Sequence, residues 1–334
     1  MKHISVAVSV VIFFGQLTTT NSVQHSLLMG GDTRAQNYSS TLEIISADHS
    51  CQPPSLPDLP QGKQSASAAL LGSSLIHCGG FDGIAAWEYE GTCFSFPLGT
   101  ESSRWVVMEN MKVARWSFGL TAIGGRLYAT GGYNSWASYS SVESFSPATG
   151  WLEEDNMELV DYIGFPLPRF HHCAVALGSW LVVLGGLVGD IGETSSTVQA
   201  FDTERAFDDA GWFFLSRMST PRAGLACHTG DFGGQLGIYV AGGHTEEAGV
   251  LDTVEFYTAN MGSWQNLGQL NTARSFHSLS IVNNQMVVAG GDNEIASIEA
   301  FDGTIWIQME SLKVGRDHHA AVSIPENLLP CRTQ

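Results

Sequence analysis

A pair of adjacent glycines that ends a short apolar run recurs six times along the chain. The doublets begin at Gly30, Gly79, Gly131, Gly185, Gly242 and Gly290, so successive doublets lie 49, 52, 54, 57 and 48 residues apart. Two residues without a Cβ atom suit a point where a strand ends and the backbone turns or meets a close neighbour. A period of this length predicts a repeat architecture in which each unit is one small sheet.

A second apolar run, a tryptophan and an arginine follow most of the doublets. The tryptophans are Trp105, Trp151, Trp212, Trp264 and Trp306, and the arginines are Arg115, Arg169, Arg222, Arg274 and Arg316. Trp151 and Arg169 are eighteen residues apart where the other four pairs are ten apart, so a segment is inserted there. Each period therefore predicts four short antiparallel strands. One such sheet cannot bury both of its faces, so we expect the sheets to pack in a ring.

Residues 113–157 carry the pattern most completely. Gly124-Gly125-Arg126-Leu127-Tyr128 leads into the doublet at Gly131, and Val142-Glu143-Ser144-Phe145 and Trp151 follow. This pattern resembles the kelch repeat, and the resemblance extends over residues 26–325. It implies an all-β fold, a six-bladed kelch-type β-propeller closed by a C-terminal strand. Residues 317–324 remain as a strand after the last arginine, and we expect them to form the inner strand of blade one.

The start of the chain predicts export. A basic Lys2, an apolar run over residues 4–14 and small polar threonines are typical of a secretory signal peptide, which we place at residues 1–20. The apolar run is too short for a membrane helix, and no later run is long and apolar enough to be one. We therefore expect residues 21–334 to form a single propeller domain that is secreted and monomeric, without a membrane span.

The charge of the chain narrows the choice of partners. It has 33 acidic and 15 basic residues, for a formal net charge of −18. Nucleic acid and anionic lipid are bound chiefly by lysine and arginine, so we expect neither as a partner. An extracellular protein or glycan is the expected partner.

Six cysteines in an exported chain favour disulfides. Cys78 and Cys93 lie on successive strands of blade two and form the first expected pair. Cys51 and Cys331 fall in turns on the same face of the ring and form the second. Cys173 and Cys227 lie on inner strands of adjacent blades, where a disulfide and two buried free thiols are both open. Asn37-Tyr38-Ser39 is a glycosylation sequon, so Asn37 is an expected glycan site.

The loops after the doublets share one face of the ring, because successive strands reverse direction. One of these loops carries Tyr133, Trp136 and Tyr139, and the insertion before Arg169 carries Tyr162 and Phe165. Aromatic and small polar residues together supply rigid contact area and adaptable hydrogen bonds. We expect these five aromatic residues to form a patch that binds a protein or glycan, although they could equally fold back over the insertion.

Catalysis is the alternative reading. His171, His172, His228, His277, His318 and His319 cluster on the expected inner strands and could line the channel as metal ligands, or pack between blades. A secreted enzyme similar in fold to galactose oxidase, or another carbohydrate-active propeller, would have its site at the channel mouth. No residue matches the galactose oxidase ligands by motif, and nucleophile elbows, zinc spacings and phosphate loops are missing. We therefore expect a binding module with no cofactor, no metal and no catalytic residues.

Overall fold

The computed structural model describes residues 23–33, 38–46, 54–83, 91–99, 103–134, 137–154, 156–157, 168–189, 192–204, 211–232, 235–258, 262–283 and 285–330. All regular secondary structure in these ranges is β-strand, as the repeat predicts. These described residues include no helix that is long and apolar enough to cross a bilayer.

Thirty strands follow one another along the described residues. The first ten are β1 (Val23–Met29), β2 (Leu42–Ser46), β3 (Ser67–Leu71), β4 (Ser74–Cys78), β5 (Cys93–Pro97), β6 (Val106–Val107), β7 (Gly119–Ile123), β8 (Arg126–Thr130), β9 (Tyr133–Asn134) and β10 (Ala137–Ser138). The next ten are β11 (Val142–Ser146), β12 (Gly150–Glu154), β13 (Arg169–Phe170), β14 (Cys173–Leu177), β15 (Trp180–Leu184), β16 (Leu187–Val188), β17 (Glu193–Thr194), β18 (Val198–Asp202), β19 (Trp212–Leu215) and β20 (Ala226–Phe232). The last ten are β21 (Gln235–Ala241), β22 (His244–Thr245), β23 (Gly249–Val250), β24 (Thr253–Thr258), β25 (Ser263–Gln269), β26 (Ser278–Val282), β27 (Gln285–Ala289), β28 (Ile298–Phe301), β29 (Trp306–Gln308) and β30 (Ala320–Pro325).

The longer strands form six antiparallel sheets. Five of these have four strands, in the orders β3-β4-β5-β6, β7-β8-β11-β12, β14-β15-β18-β19, β20-β21-β24-β25 and β26-β27-β28-β29. In the other sheet β1 lies between β2 and β30, so the two ends of the described chain share one sheet. Met29 stands opposite Leu42 on one side and Ala320 on the other. We call β30-β1-β2 the first sheet and number the others second to sixth along the chain.

The hydrophobic core is divided among the spaces between consecutive sheets. Buried clusters fill the spaces between the first and second sheets, the second and third, the third and fourth, the fourth and fifth, and the fifth and sixth. Another cluster packs Leu28 and Ile45 of the first sheet against Val287 and Ile298 of the sixth. Both faces of each sheet are therefore covered by neighbouring sheets. A single sheet of such short strands could not bury both of its faces alone.

The glycine doublets mark the points where one sheet meets the backbone of the next. A Cβ atom on Gly131 would lie 2.4 Å from the carbonyl oxygen of Arg169, in the segment that leads into the fourth sheet. The amide of Gly132 donates to that same oxygen, at 2.8 Å. Gly131 also has a φ of 58°, in the left-handed region that side chains with a Cβ rarely adopt. The doublet is thus required both for the turn and for the close approach.

Candidate functional site

Each inner strand is entered through one residue with a left-handed backbone. The inner strands are β30, β3, β7, β14, β20 and β26, which together line one cavity of about 340 Å³. This residue lies two positions before the strand begins, and its φ is between 49° and 59° in all six cases. We call these six the turn residues: Ser65, Ser117, His171, Gly224, Phe276 and His318. Five of the six are not glycine, so tertiary contacts must hold a conformation that is costly for them.

Backbone hydrogen bonds join the turn residues head to tail. The amide of Ser117 donates to the carbonyl of Ser65 at 2.8 Å, and that of His171 donates to Ser117 at 3.0 Å. The same bond joins Gly224 to His171, Phe276 to Gly224, His318 to Phe276, and Ser65 to His318. These six bonds connect all six sheets through one backbone group per sheet, and they satisfy polar groups that would otherwise be unpaired.

Two further positions in each sheet surround the turn residues. The residue after each doublet pairs with the residue just before a turn residue, as Tyr133 does with Trp116 and Asp32 does with Asp317. In each of the six sheets, the turn residue, the residue before it and the residue after the doublet make up a surface that we call the mouth. Besides the turn residues, the mouth contains Asp32, Gln64, Phe81, Trp116, Tyr133, Phe170, Leu187, Ala223, His244, Ser275, Asp292 and Asp317.

The second to fourth sheets give the mouth an aromatic side. The ring of Trp116 meets that of Tyr133 edge to face, with centroids 5.0 Å apart. Phe81 lies 6.1 Å from Trp116 on one side, and Phe170 lies 5.6 Å from Tyr133 on the other. All four side chains are half-buried. Edge-to-face and tilted arrangements are favourable between aromatic rings, so these side chains support one another while leaving surface open.

The sixth and first sheets give the mouth an acidic side. Carboxylate oxygens of Asp32 and Asp317 and a ring nitrogen of His318 lie within 4.8 Å of one another. The Nδ1 atom of His318 is 2.8 Å from an oxygen of Asp317, and the His318 ring stacks on Phe276 with centroids 3.9 Å apart. Burial, and then the charge of Asp317, raises the pKa of Asp32. Two carboxylates are therefore held together beside an aromatic face.

Two histidines of the mouth, His171 and His244, carry little positive charge at neutral pH. Burial, together with the neighbouring His318 and His244, lowers the pKa of His171 to about 3. Burial also lowers the pKa of His244. Neither ring nitrogen of His171 has a hydrogen-bond partner among the described residues, and the same holds for Trp116 Nε1 and Ser117 Oγ. Buried polar groups normally have a partner, so this part of the mouth has unused hydrogen-bonding capacity.

Directly behind the mouth, a buried arginine ties the sheet to its own doublet in five of the six sheets. Arg115 donates from Nη1 to the carbonyl of Gly131 at 2.6 Å and from Nη2 to Glu143 at 2.6 Å. The Glu143 carboxylate also accepts from the backbone amides of Lys112 and Val113. We call this arrangement the arginine clamp. Its charges are neutralised and all its contacts are hydrogen-bonded, the condition under which a buried ion pair is tolerated.

Clamps recur in the other sheets with two exceptions. Arg222 with Glu255, Arg274 with Glu299 and Arg316 with Glu43 repeat the pairing. In the fourth sheet Arg169 meets Gln199 instead of a carboxylate, and burial lowers the pKa of Arg169 to about 9. In the second sheet Lys63 takes the arginine position and lies over the ring of Phe94, with its Nζ atom 5.7 Å from the centroid. Lys63 Nζ also donates to the hydroxyl of Thr92, so the cation is held by a hydrogen bond and a cation–π contact.

Of the five aromatic residues of the patch expected from the sequence, Tyr133 and Tyr139 lie among the described residues. Tyr133 lies at the mouth. The ring centroid of Tyr139, by contrast, is 5.7 Å from the Cζ atom of Arg115, so Tyr139 packs against the clamp. Tyr133 was expected in a loop, whereas it pairs in a short hairpin with β10. Trp136, Tyr162 and Phe165 lie outside the described residues, as do Asn37, Cys51, Cys331 and the signal peptide.

Two cysteine pairs lie at disulfide distance. Cys78 is bonded to Cys93 across β4 and β5, the first pair expected from the sequence. Cys173 is bonded to Cys227, so β14 of the fourth sheet is linked to β20 of the fifth. The structure thus has a disulfide at the position where free thiols were an open alternative.

The repeated histidines lie between the sheets. His172, His277 and His319 face the first glycine of the preceding doublet; a Cβ on Gly131 would lie 2.8 Å from the His172 ring. His228 instead projects into the channel, where its Nε2 atom is 3.0 Å from the hydroxyl of Ser323. Among the described residues, Asp32, Asp317 and His318 form a group of side chains close enough together to hold a metal ion.

Most of the mouth was missed in the sequence. Trp116, Phe170 and Phe276 were not singled out, nor were the aspartates of the acidic side. A usable signal was present, because each stands one or two positions after the repeated arginine or directly after a doublet. Lys63 was not predicted because the other five periods have arginine at the equivalent position. Aligning the six periods by position would have found all of these residues.

Known proteins with similar sequences support the repeat. A family model described as Kelch motif matches residues 115–150. Kelch-like protein 33 of Homo sapiens is 34% identical over 176 residues, which cover 52% of this chain and 30% of that protein. Alpha-scruin of Limulus polyphemus is 26% identical over 282 residues, covering 80% of this chain and 24% of that protein. The chain thus spans a third or less of the length of these two relatives.

A solved structure shares the fold. The structure titled "Structure of YjhT" aligns with a TM-score of 0.67 and 16% identity, and the alignment covers 82% of this chain and 91% of that one. Repeated four-stranded sheets, the matching motif and this structural likeness define a β-propeller. The matching family model and the Kelch-like relatives support a kelch-repeat family for this chain.

Proposed function

We propose that this kelch protein is a six-bladed propeller closed by β30, and that its mouth binds a partner protein. Each of the six sheets is one blade, with β30 as the inner strand of blade one. Closure is supported by the buried cluster between the sixth and first sheets and by the bond from Ser65 to His318, which completes the chain of turn residues. A kelch propeller suggests a protein-interaction module.

One observation carries the binding role: the mouth repeats its backbone in every blade while its side chains differ from blade to blade. The turn conformation and the paired positions recur six times. Yet the residues after the doublets are aspartate, phenylalanine, tyrosine, leucine and histidine. Packing alone would favour one side-chain type at equivalent positions. Half-buried aromatic residues are the kind that carry most of the energy in protein interfaces.

A photo-crosslinking experiment tests this role. Benzoylphenylalanine replaces Tyr133 at the mouth, or Phe214 as a matched control. Phe214 is an aromatic residue of β19 that is 54% exposed and lies outside the mouth. After incubation with extracellular extract and irradiation, we expect a discrete protein adduct at position 133 and none at 214. Equal adducts at both positions, or none at 133, would contradict a binding role for the mouth.

Export remains part of the proposal. We propose that residues 1–20 are removed as a signal peptide and that residues 21–334 are secreted as one domain with glycan on Asn37. The two disulfides support an oxidising compartment. Expression in cultured animal cells tests it: we expect the protein in the medium, with a mass that falls on glycosidase treatment. Asn37→Gln should abolish that shift, and retention of the protein inside the cells would contradict export.

A further inference from the structure

Charge and unpaired polar groups at the mouth indicate what kind of partner it takes. Its acidic side has three carboxylates, on Asp32, Asp292 and Asp317, and the described mouth positions include neither lysine nor arginine. The six basic side chains nearest in sequence to the turn residues are buried in the clamps and in the Lys63 contact. The mouth is therefore a concave surface of negative charge, and such surfaces concentrate cations.

A second and independent feature is the set of unpaired polar groups on the opposite side. His171 Nδ1 and Nε2, Trp116 Nε1 and Ser117 Oγ are shielded from solvent and have no hydrogen-bond partner among the described residues. His171 and Ser117 line a cavity together with Phe276 and His318, and the Trp116 ring lies beside His171. An occupant must therefore offer both donors and acceptors, which a simple inorganic cation does not.

Aromatic faces connect the two sides. The His171 ring lies edge to face with Phe276 at 4.8 Å, and its centroid is 6.3 Å from that of His318. On its other side, the Trp116 ring centroid is 6.5 Å away. A planar cation can stack on such faces while its N–H groups reach carboxylates. Guanidinium has this shape, with five donors in a fixed plane.

We propose that the mouth binds an arginine side chain carried on a loop of the partner protein. This inference rests on the proposed binding role and names the chemistry of the partner. The guanidinium donates to Asp32 and Asp317 and lies against Phe276. The backbone carbonyls of the loop accept from Trp116 Nε1, and the remaining guanidinium N–H groups meet Ser117 Oγ and the acceptor nitrogen of neutral His171. Lysine supplies the charge but not the plane, so it binds more weakly.

Short synthetic peptides provide the probe. Acetyl-Gly-Ser-Arg-Ser-Gly-amide is titrated into histidine-labelled protein while the ring resonances of His171 and His318 are followed by NMR. Citrulline in place of arginine keeps the shape and removes the charge. We expect the citrulline peptide to bind at least tenfold more weakly, the lysine peptide to fall between the two, and added salt to weaken arginine binding.

Paired variants separate the mouth from the overall charge. Asp317→Asn and Asp32→Asn each remove one negative charge at the mouth, whereas Glu153→Gln removes one at an exposed position of β12. We expect each mouth variant to weaken the arginine peptide about tenfold or more, as loss of a charged hydrogen bond does, and Glu153→Gln to leave it unchanged. The unfolding temperature of each variant verifies that it folds. If one of the two mouth variants does not fold, the other still tests the proposal.

Several outcomes would overturn the inference. Equal binding of the arginine and citrulline peptides, equal weakening by Glu153→Gln and Asp317→Asn, or binding of lactose but of no peptide would each do so, the last in favour of a glycan. The crosslinking result distinguishes the two proposals. If position 133 still captures a partner while the peptides fail, the mouth binds by other chemistry; if neither works, the binding role itself is wrong.

Discussion

The arginine clamps and the mouth are adjacent layers of the same repeat, yet they vary in opposite ways. Clamps reuse the same side-chain types, as Arg115 with Glu143 and Arg274 with Glu299 do. One or two residues further along, the mouth keeps its backbone and changes its side chains, from Trp116 in the third sheet to Ser275 in the sixth. The comparison indicates that stability is concentrated in the clamp layer, which leaves the side chains of the mouth layer free to serve the proposed recognition.

Acid should have the largest effect on the clamp layer and its surroundings. Burial lowers the pKa of His77 and His319 to about 3 and that of His228 to about 4. The unfolded chain takes up these protons near pH 6.5, whereas the folded chain does not until pH 3–4. Stability is thus fully present above pH 6.5 and falls below it, by about 1.4 kcal/mol per pH unit for each histidine.

Circular dichroism during urea unfolding at stepped pH measures this effect. We expect the unfolding midpoint to fall steadily from pH 6.5 and the fold to be lost before pH 3. A midpoint that stays constant between pH 6.5 and 4 would mean that these histidines are not buried as neutral groups.

Breaking one clamp should have the next largest effect. Glu143→Gln leaves the buried Arg115 without its carboxylate, and we expect a loss of about 3 kcal/mol in the free energy of unfolding. Gln199→Glu is the reverse change in the fourth sheet, since it gives Arg169 a carboxylate; we expect a gain of about 1 kcal/mol. Chemical denaturation measures both. Glu153→Gln, exposed in the same sheet as Glu143, is the control; an equal cost there would contradict the account.

Glycine substitutions separate backbone strain from close packing. Gly131 and Gly124 have φ values of 58° and 56°, but a Cβ on Gly124 would meet nothing within 4 Å. Gly124→Ala should therefore cost only the strain of a left-handed alanine, about 1–2 kcal/mol. Gly131→Ala adds a clash with the next sheet, and we expect a further loss of about 2 kcal/mol. Equal costs would mean that the doublet does not set the contact between sheets.

Changes at the mouth should have the smallest effect on stability. Asp292 accepts from the hydroxyl of Ser275, and asparagine can keep that bond. We expect Asp292→Asn to change the free energy of unfolding by less than about 0.5 kcal/mol, as is usual for surface substitutions. A loss as large as that of Glu143→Gln would place Asp292 in the stabilising layer and erase the distinction.

The sequence predicted the repeat because its signals are local. Doublets at Gly131 and Gly185, and the arginines that follow, are fixed by turns and close contacts that tolerate few residue types. Lys63 was not predicted because a lysine takes the arginine position in the second sheet, where it contacts Thr92 and Phe94.

Aligning the six periods locates the positions of the mouth, but their role could not be predicted from residue type, because packing does not dictate which residue stands there. Tyr133 and Tyr139 are close in sequence, but only the structure separates the mouth from the clamp. The hydrogen bonds between turn residues carry no side-chain signature at all, since four different residue types adopt the same conformation.

Native-state hydrogen exchange at the six turn residues tests the closed ring most directly. If β30 closes the propeller, the amides of Ser65 and His318 at the junction are held as firmly as those of Ser117, His171, Gly224 and Phe276. The account predicts that all six exchange only with global unfolding, at one common free energy of opening. Exchange at Ser65 and His318 that is faster by orders of magnitude than at the other four would contradict it.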